Sequence, residues 1–275
     1  DVRLNIDKER AVAKETVLKV SHVNKANALG KQVLKDVSFQ IPRGVILGIA
    51  GVEGNGQSEI SEIISGMDRD FDGEVEVNGK STRNMSVREL RENGVAHISE
   101  DRMTYGIVGD GSIAENIISD RYYKKKFQKG LLLDQKKIDH MVEELIDKFN
   151  VKCDGKDQPI RMLSGGNMQK VVAAREFTNH ADLIIANQPT RGIDIGASMF
   201  LRNKLVELRD AGASVLLISA DLSEVMEVSD RLIVMCGGKI SAYFENAEDI
   251  TEEEMGLYML GLKQMTPEEI RRASN

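Results

Sequence analysis

The most constraining stretch of the chain is Gly51-Val52-Glu53-Gly54-Asn55-Gly56-Gln57-Ser58-Glu59, set between an apolar run at residues 45–50 and a helical pattern over 58–64. A buried strand, a glycine-rich turn and a helix, with G-x-x-x-x-G spacing and a Ser at its end, form the frame of a phosphate-binding loop. Such a loop holds phosphates with backbone N–H groups and a helix N-terminus, while a Lys neutralises the outer phosphate charge. Here the Lys position is Gln57, and Glu53 and Glu59 bring negative charge to the same loop. The frame predicts a phosphate site and the charges oppose one, so the remaining sequence has to resolve the conflict.

The 275 residues suffice for one large or two modest domains, and 41% hydrophobic with 29% charged residues is the balance of a soluble globular core. A formal net charge of −7 argues against a broad nucleic-acid surface, and no nucleic-acid partner is expected. Cys153 and Cys236 lie far apart, outside any C-x-x-C or Cys/His cluster, which suits a reducing cytoplasm and supplies no metal site. No apolar run approaches the roughly 20 residues of a membrane helix, so a membrane role would run through a partner. Residues 1–16 are polar without periodicity and read as a linker cut from a longer protein.

Hydrophobic periodicity predicts an α/β fold. Short alternating runs at 17–20, 33–41 and 74–77, the last followed by the turn pair Asn78-Gly79, suggest a small antiparallel layer. Continuous apolar runs at 183–186, 215–218 and 232–235 suit strands covered on both faces of a parallel sheet. Helical patterns at 138–149 and 197–209 supply crossovers, and residues from about 101 to 162 read as a mainly helical subdomain inserted into the core. Thr251-x-x-Glu254 and Thr266-Pro267-x-Glu269 predict capping boxes, with 266–275 a helical tail. Glu100 ends a strand at 95–98, and strand ends of such a sheet are where ligands sit.

A second anion cradle follows at Leu163-Ser164-Gly165-Gly166-Asn167-Met168-Gln169, where a hydroxyl and two glycines precede a helix predicted over 170–179. This stretch resembles the signature motif of the ATP-binding-cassette (ABC) ATPases. Leu183-Ile184-Ile185-Ala186-Asn187-Gln188-Pro189-Thr190 resembles the Walker B strand of that family, and Arg191-Gly192-Ile193-Asp194 its D-loop, with Glu100 at the Q-loop position. The resemblance covers residues 17 to about 261 and implies a P-loop ABC core with an antiparallel β subdomain, a nucleotide-binding domain over 17–265, and ATP with Mg²⁺ as ligands.

Within the family, Ser99-Glu100-Asp101-Arg102 and Gln188-Pro-Thr-Arg-Gly-Ile-Asp194 are similar to the second, C-terminal cassette of fused two-cassette sugar or nucleoside importers, closest to the nucleoside (basic membrane protein-associated) branch. That implies an N-terminal cassette in the same full-length chain as partner, membrane permease subunits, an indirectly coupled solute-binding protein, and a peripheral place on the cytoplasmic face of the membrane. The expected nucleotide-contacting residues are Gly51, Glu53, Gly54, Asn55, Gly56, Gln57, Ser58, Glu59, Glu100, Asn187 and Asp194, with Ser58 and Glu100 as weak Mg²⁺ ligands.

The departures from the family pattern point one way. The two Walker B carboxylates are the amides Asn187 and Gln188, the switch-His position is Ala220, and no aromatic residue precedes Phe39 to stack on an adenine. Loss of a general base alone costs about 10²- to 10⁴-fold in rate. The chain's own loop is therefore expected to hold nucleotide with little or no hydrolysis, Gln188 marking the lost base. Ser164, Gly165 and Gly166, with no acid beside them, are expected to complete the ATP site of the partner cassette in trans. A regulatory or scaffolding ABC module and a non-transport ABC ATPase are the alternatives.

Overall fold

The computed structural model describes residues 6, 8–130 and 132–274. β1 (Thr16–Ala26) and β2 (Gln32–Pro42) precede β3 (Ile46–Gly51) and α1 (Gln57–Ser65). β4 (Asp72–Val77), β5 (Lys80–Ser81), α2 (Val87–Glu92) and β6 (Val95–Ile98) close the first half. The insert holds a wide helical turn at Arg102–Gly106, α3 (Ile113–Ile118), the short hairpin β7 (Gln128–Lys129) and β8 (Leu132–Leu133), and α4 (Gln135–Lys148). The second half runs α5 (Gly165–Phe177), β9 (Leu183–Asn187), α6 (Ile195–Asp210), β10 (Ser214–Ile218) and α7 (Leu222–Val228). It ends with β11 (Arg231–Cys236), β12 (Lys239–Phe244), α8 (Glu252–Met259) and α9 (Pro267–Ile270).

The main sheet has the order β12-β11-β3-β10-β9-β6. Its strands are parallel except β12, which the Gly237-Gly238 turn folds back antiparallel on β11, so the sheet is mixed at one edge where the sequence pattern predicts parallel strands. Alternate residues of the continuous apolar strands go to opposite faces. Ile184, Ala186, Val215 and Leu217 pack with α5, α6 and the insert, while Leu183, Ile185, Leu216 and Ile218 pack with α1 and the β1–β2 layer. Continuous apolarity is what a strand buried twice requires.

The second sheet, β2-β1-β4-β5, is antiparallel, and Asn78 and Gly79 make its tight turn with φ of 52° and 71°. β1 is longer than its alternating core because bulges interrupt the register, one beside His22 at φ 52°. The segment expected to be a linker lies against the domain over its described part. Ala11 packs on the β1–β2 core, Lys8 pairs with Asp230 at 3.8 Å, and Arg209 donates to the Glu9 carbonyl at 3.1 Å. In the tail, Thr266 and Glu269 form the expected reciprocal cap, and Ala273 is buried in the same core. The cap at Thr251 is one-sided: Thr251 accepts from the Glu254 N–H, but the Glu254 carboxylate goes to Lys263 at 2.6 Å, a charged donor that outcompetes a backbone amide.

The insert is tied to the core by a buried charge network. Arg91 on α2 reaches Asp120 at 2.8 Å and Glu176 at 2.9 Å, and Arg175 reaches Glu176 at 2.9 Å. Burial opposes ionisation of Glu176, but Arg175 and Arg91 together hold its carboxyl below the usual range. Among the described residues no helix is long and apolar enough to cross a membrane.

Candidate functional site: the loop after β3 and the helix after Leu163

Gly56 carries α1 into register at φ 107°, a conformation open to glycine, and a Cβ there would lie 2.6 Å from Leu34 and 3.0 Å from Met235. No side chain caps α1, so its first-turn amides have no side-chain partner, and the loop before it borders a cleft. That cleft, of about 420 Å³, is lined by Gly51, Glu53, Gly54, Gln57, Ser58 and Glu100, and on its far side by Gln188, Thr190, Arg191 and residues 218–221. Gln57 is buried and donates back across its own loop to the Val52 carbonyl at 3.2 Å. Asn55 accepts from the Gly237 N–H at 2.7 Å, which anchors the loop on the β11–β12 turn.

Glu100 joins the loop to the second half of the chain. One carboxylate oxygen accepts from Ser58 Oγ at 3.0 Å and the other meets Arg191 Nη1 at 2.5 Å. Asn187 is 4% exposed at the end of β9, and its Oδ1 is buried without a hydrogen-bond partner. It lines, with Ser58, Ser61, His97 and Glu100, an adjoining cleft of about 410 Å³. Ser58, Glu100 and Asn187 are all hard oxygen donors, the kind Mg²⁺ takes, and the uncapped amides suit phosphate. The residues therefore fit a nucleotide with its metal in kind, while lacking the loop cation. Among the described residues no group of three or more His, Cys, Asp or Glu comes together as a metal cluster.

Gln188 sits at φ 52°, its N–H donating to Ile218 at 2.7 Å and its Oε1 accepting from the Ala220 N–H at 3.1 Å. The position expected for the general base and the position expected for the switch His are thus bonded to each other. Thr190 donates to Glu224 at 2.9 Å, and Arg202 braces Glu224 at 3.2 Å and Asp221 at 2.7 Å. Burial pushes the Glu224 carboxyl up. On the wall of the adjoining cleft, burial lowers the His97 imidazole to about 4, so it is neutral at pH 7, with Nε2 3.3 Å from Ser61 Oγ.

The second cradle is built differently. Ser164 caps α5, accepting from the Asn167 N–H at 3.4 Å and from Asn167 Nδ2 at 2.9 Å. That cap starts the helix at Gly165, five residues before the predicted 170. Gly166 is buried against Asp194, where a Cβ would stand 2.6 Å from Asp194 Oδ2 and 2.9 Å from Ala197 Cβ. Asp194 itself caps α6 through the Ala197 N–H at 2.9 Å. Gln169 donates to the Pro189 carbonyl at 2.8 Å, and Arg102 donates to the Arg191 carbonyl at 2.8 Å.

The structure thus gathers Gly51 to Ser58, Glu100 and residues 187–191 into one region, keeps Ser164 exposed on a different helix, and leaves Glu53 exposed at the loop tip. Asp194 serves α5 and α6 packing. Sequence reasoning passed over Arg191 as a site residue and Arg102 as its brace. The signal available was a cation directly after a Walker B strand that had lost its acids, but its partner Glu100 is remote in sequence.

A six-stranded sheet with a glycine loop leaving its central strand, a helical insert and a second glycine-opened helix define a P-loop ATP-binding-cassette fold. In agreement, the pattern described as ABC transporter matches residues 34–191, and the chain belongs to that family. It is 39% identical over 264 residues to the guanosine import ATP-binding protein NupO of Bacillus subtilis (strain 168), covering 96% of this chain and 52% of that protein. It is 37% identical over 255 residues to the nucleoside import ATP-binding protein NupA of Lactococcus lactis subsp. cremoris (strain MG1363), covering 93% and 50%. The chain spans about half the length of the curated relatives it matches. A crystal structure of a nucleotide-free ATP-binding cassette from an ABC transporter superposes with a TM-score of 0.71 at 23% identity, covering 93% of this chain and 97% of that one, and shares the fold.

Proposed function

We propose that this chain is the C-terminal nucleotide-binding half of a two-cassette import ATPase for nucleosides or sugars, acting on the cytoplasmic face of the membrane with permease subunits and a solute-binding protein. The half-length match to relatives named for guanosine, nucleoside and glucose import supports the two-cassette reading. The linker (1–16), the domain (17–265), the insert at about 101–162 and the tail (266–275) are its parts in this reading. The insert offers a permease contact, since Met103, Tyr105, Val108 and Met162 are exposed on it and Glu100 adjoins it.

The observation that carries the catalytic part of the reading is the bond between Gln188 and Ala220 beside the unpartnered Asn187 oxygen. Neither position offers a base for an attacking water, and the cleft's Mg²⁺ donors are reduced to Ser58, Glu100 and a neutral amide. This site then holds ATP or ADP with weak Mg²⁺ and negligible turnover. Exposed Ser164 with Gly165 and Gly166 closes on the ATP of the N-terminal cassette.

The test is ATP turnover by this chain alone and with its presumed N-terminal cassette, each with wild type and Ser164→Arg. The expected result is negligible turnover alone, and turnover of the pair that Ser164→Arg abolishes. Substantial turnover by the isolated chain, or a paired rate indifferent to Ser164→Arg, would sink the reading.

A further inference from the structure

The loop after β3 lacks its Lys, and Gln57 spends its amide on the Val52 carbonyl. The cleft in front of it carries the acids Glu53, Glu100 and Asp221, and among the described residues lining it Arg191 is the one Lys or Arg. In the adjoining cleft, whose acids are Glu62, Glu100 and Asp101, Arg191 is again the one Lys or Arg among the described lining residues, and Ser58, Glu100 and Arg191 line both. A polyphosphate entering a cleft with these acids meets repulsion, which Arg202 lessens at Asp221 and a guanidinium at contact distance offsets further.

Arg191 is mounted for that task. Its N–H donates to the Gln188 carbonyl at 3.2 Å and its carbonyl accepts from Arg102 at 2.8 Å, so its backbone is fixed while its side chain is 57% exposed. The guanidinium rests on Glu100, and a single carboxylate separates it from Ser58 Oγ, a hydroxyl in the first turn of α1. A carboxylate offers Arg the same paired acceptor oxygens as a phosphate, and the planar fork binds either. On the same wall, the buried Oδ1 of Asn187 has no partner, which points independently to a ligand in this place.

We propose that Arg191 is the phosphate-neutralising cation of this cleft, exchanging the Glu100 carboxylate for the outer phosphate of a bound nucleoside diphosphate or triphosphate. The inference rests on the reading that the loop holds nucleotide, and it moves the missing loop charge to the far wall of the cleft. Exchange also frees Glu100 and Ser58 to face the ligand.

The test is a fluorescence titration of the 275-residue chain with mant-labelled ADP in EDTA, which removes any metal role of Glu100. Wild type binds, Arg191→Gln weakens binding about 10-fold or more, as expected for a lost charged hydrogen bond, and Arg191→Lys, which keeps the charge but not the planar fork, restores part of it. Glu100→Gln, which removes the carboxylate competing for the guanidinium, binds mant-ADP more tightly than wild type in EDTA, and adding Arg191→Gln to it again weakens binding. Wild-type affinity in Arg191→Gln overturns the inference and leaves the nucleotide-holding loop standing. Equal weakening by Arg191→Gln and Glu100→Gln, with matching losses of melting temperature in the ligand-free chain, overturns it as well, because Arg191 is then only a latch. No saturable binding by wild type either in EDTA or with Mg²⁺ overturns both this inference and the reading beneath it, and binding that appears only with Mg²⁺ overturns the inference alone.

Discussion

A glycine stands at the start of both α1, as its N-cap Gly56, and α5, as its first residue Gly165, yet the chain treats their N-termini in opposite ways. Gly56 opens α1 in a left-handed conformation with no side-chain cap, amid Glu53, Glu59 and Glu100. Ser164 caps α5, Asn167 steadies the Ser hydroxyl, and Gly166 is pressed on Asp194. The first terminus has amides without a side-chain partner, beside a cleft of the wrong charge. The second presents an exposed hydroxyl, its glycines are held by packing, and no acidic side chain follows it in its first turn. Similar local sequence therefore yields one uncapped loop lining a cleft and one capped helix start with an exposed hydroxyl, and the neighbours make the difference.

The largest expected effect breaks the second surface without touching the first. In the paired cassettes Ser164→Arg lowers ATP turnover by about 100-fold or more, the scale of losing one positioned transition-state contact. Binding of mant-ADP to the isolated chain stays unchanged, and a loss there would show that the two surfaces are not independent.

The wall of the cleft adjoining the first supplies the next effect. His97 is neutral when folded, with its pKa lowered from 6.5 to about 4. A lowered His pKa contributes stability above the unfolded value, which is lost as pH falls from about 6.5 toward 4, a total of about 3 kcal/mol at most. Urea melts across that window should steepen their fall with wild type and flatten with His97→Gln. Equal slopes would remove His97 from the account.

Glycine substitutions sharpen the contrast between the two turns. Gly56→Ala forces a Cβ at φ 107° into Leu34 and should cost about 2–3 kcal/mol. Gly165→Ala meets the flexible end of Arg102 and the Gly192 carbonyl at 3.3 Å in a helical position, and should cost under about 1 kcal/mol. Thermal melts check the order, and a larger loss at Gly165 would reverse it. The smallest effect is the cap itself: Ser164→Ala should lower stability by about 1 kcal/mol.

Much of the fold was legible in the chain. The continuous runs at 183–186, 215–218 and 232–235 became β9, β10 and β11 because strands covered on both faces have no polar side. β12 escaped because Lys239 to Phe244 carries its polar residues at an edge, and the signal for it was the Gly237-Gly238 turn. The capping-box pattern at Thr251 predicted a reciprocal bond that Lys263 diverts, a competition no local motif contains. At the candidate site, the loop, Glu100 and the amides Asn187 and Gln188 could be named from motif order alone. Arg191 could not, because its meaning depends on the acids and the missing Lys it faces.

The sequence by itself determined the strand–loop–helix frame, the second glycine-opened helix and the absence of the loop Lys and the Walker B acids, since these follow from residue type at fixed spacing. Only the tertiary structure decided that Glu100 bridges Ser58 and Arg191, that Gln188 is bonded to Ala220, and that Gly166 is held by Asp194. The reason is that hydrogen bonds and ion pairs act over a few ångströms in space, whatever the separation along the chain.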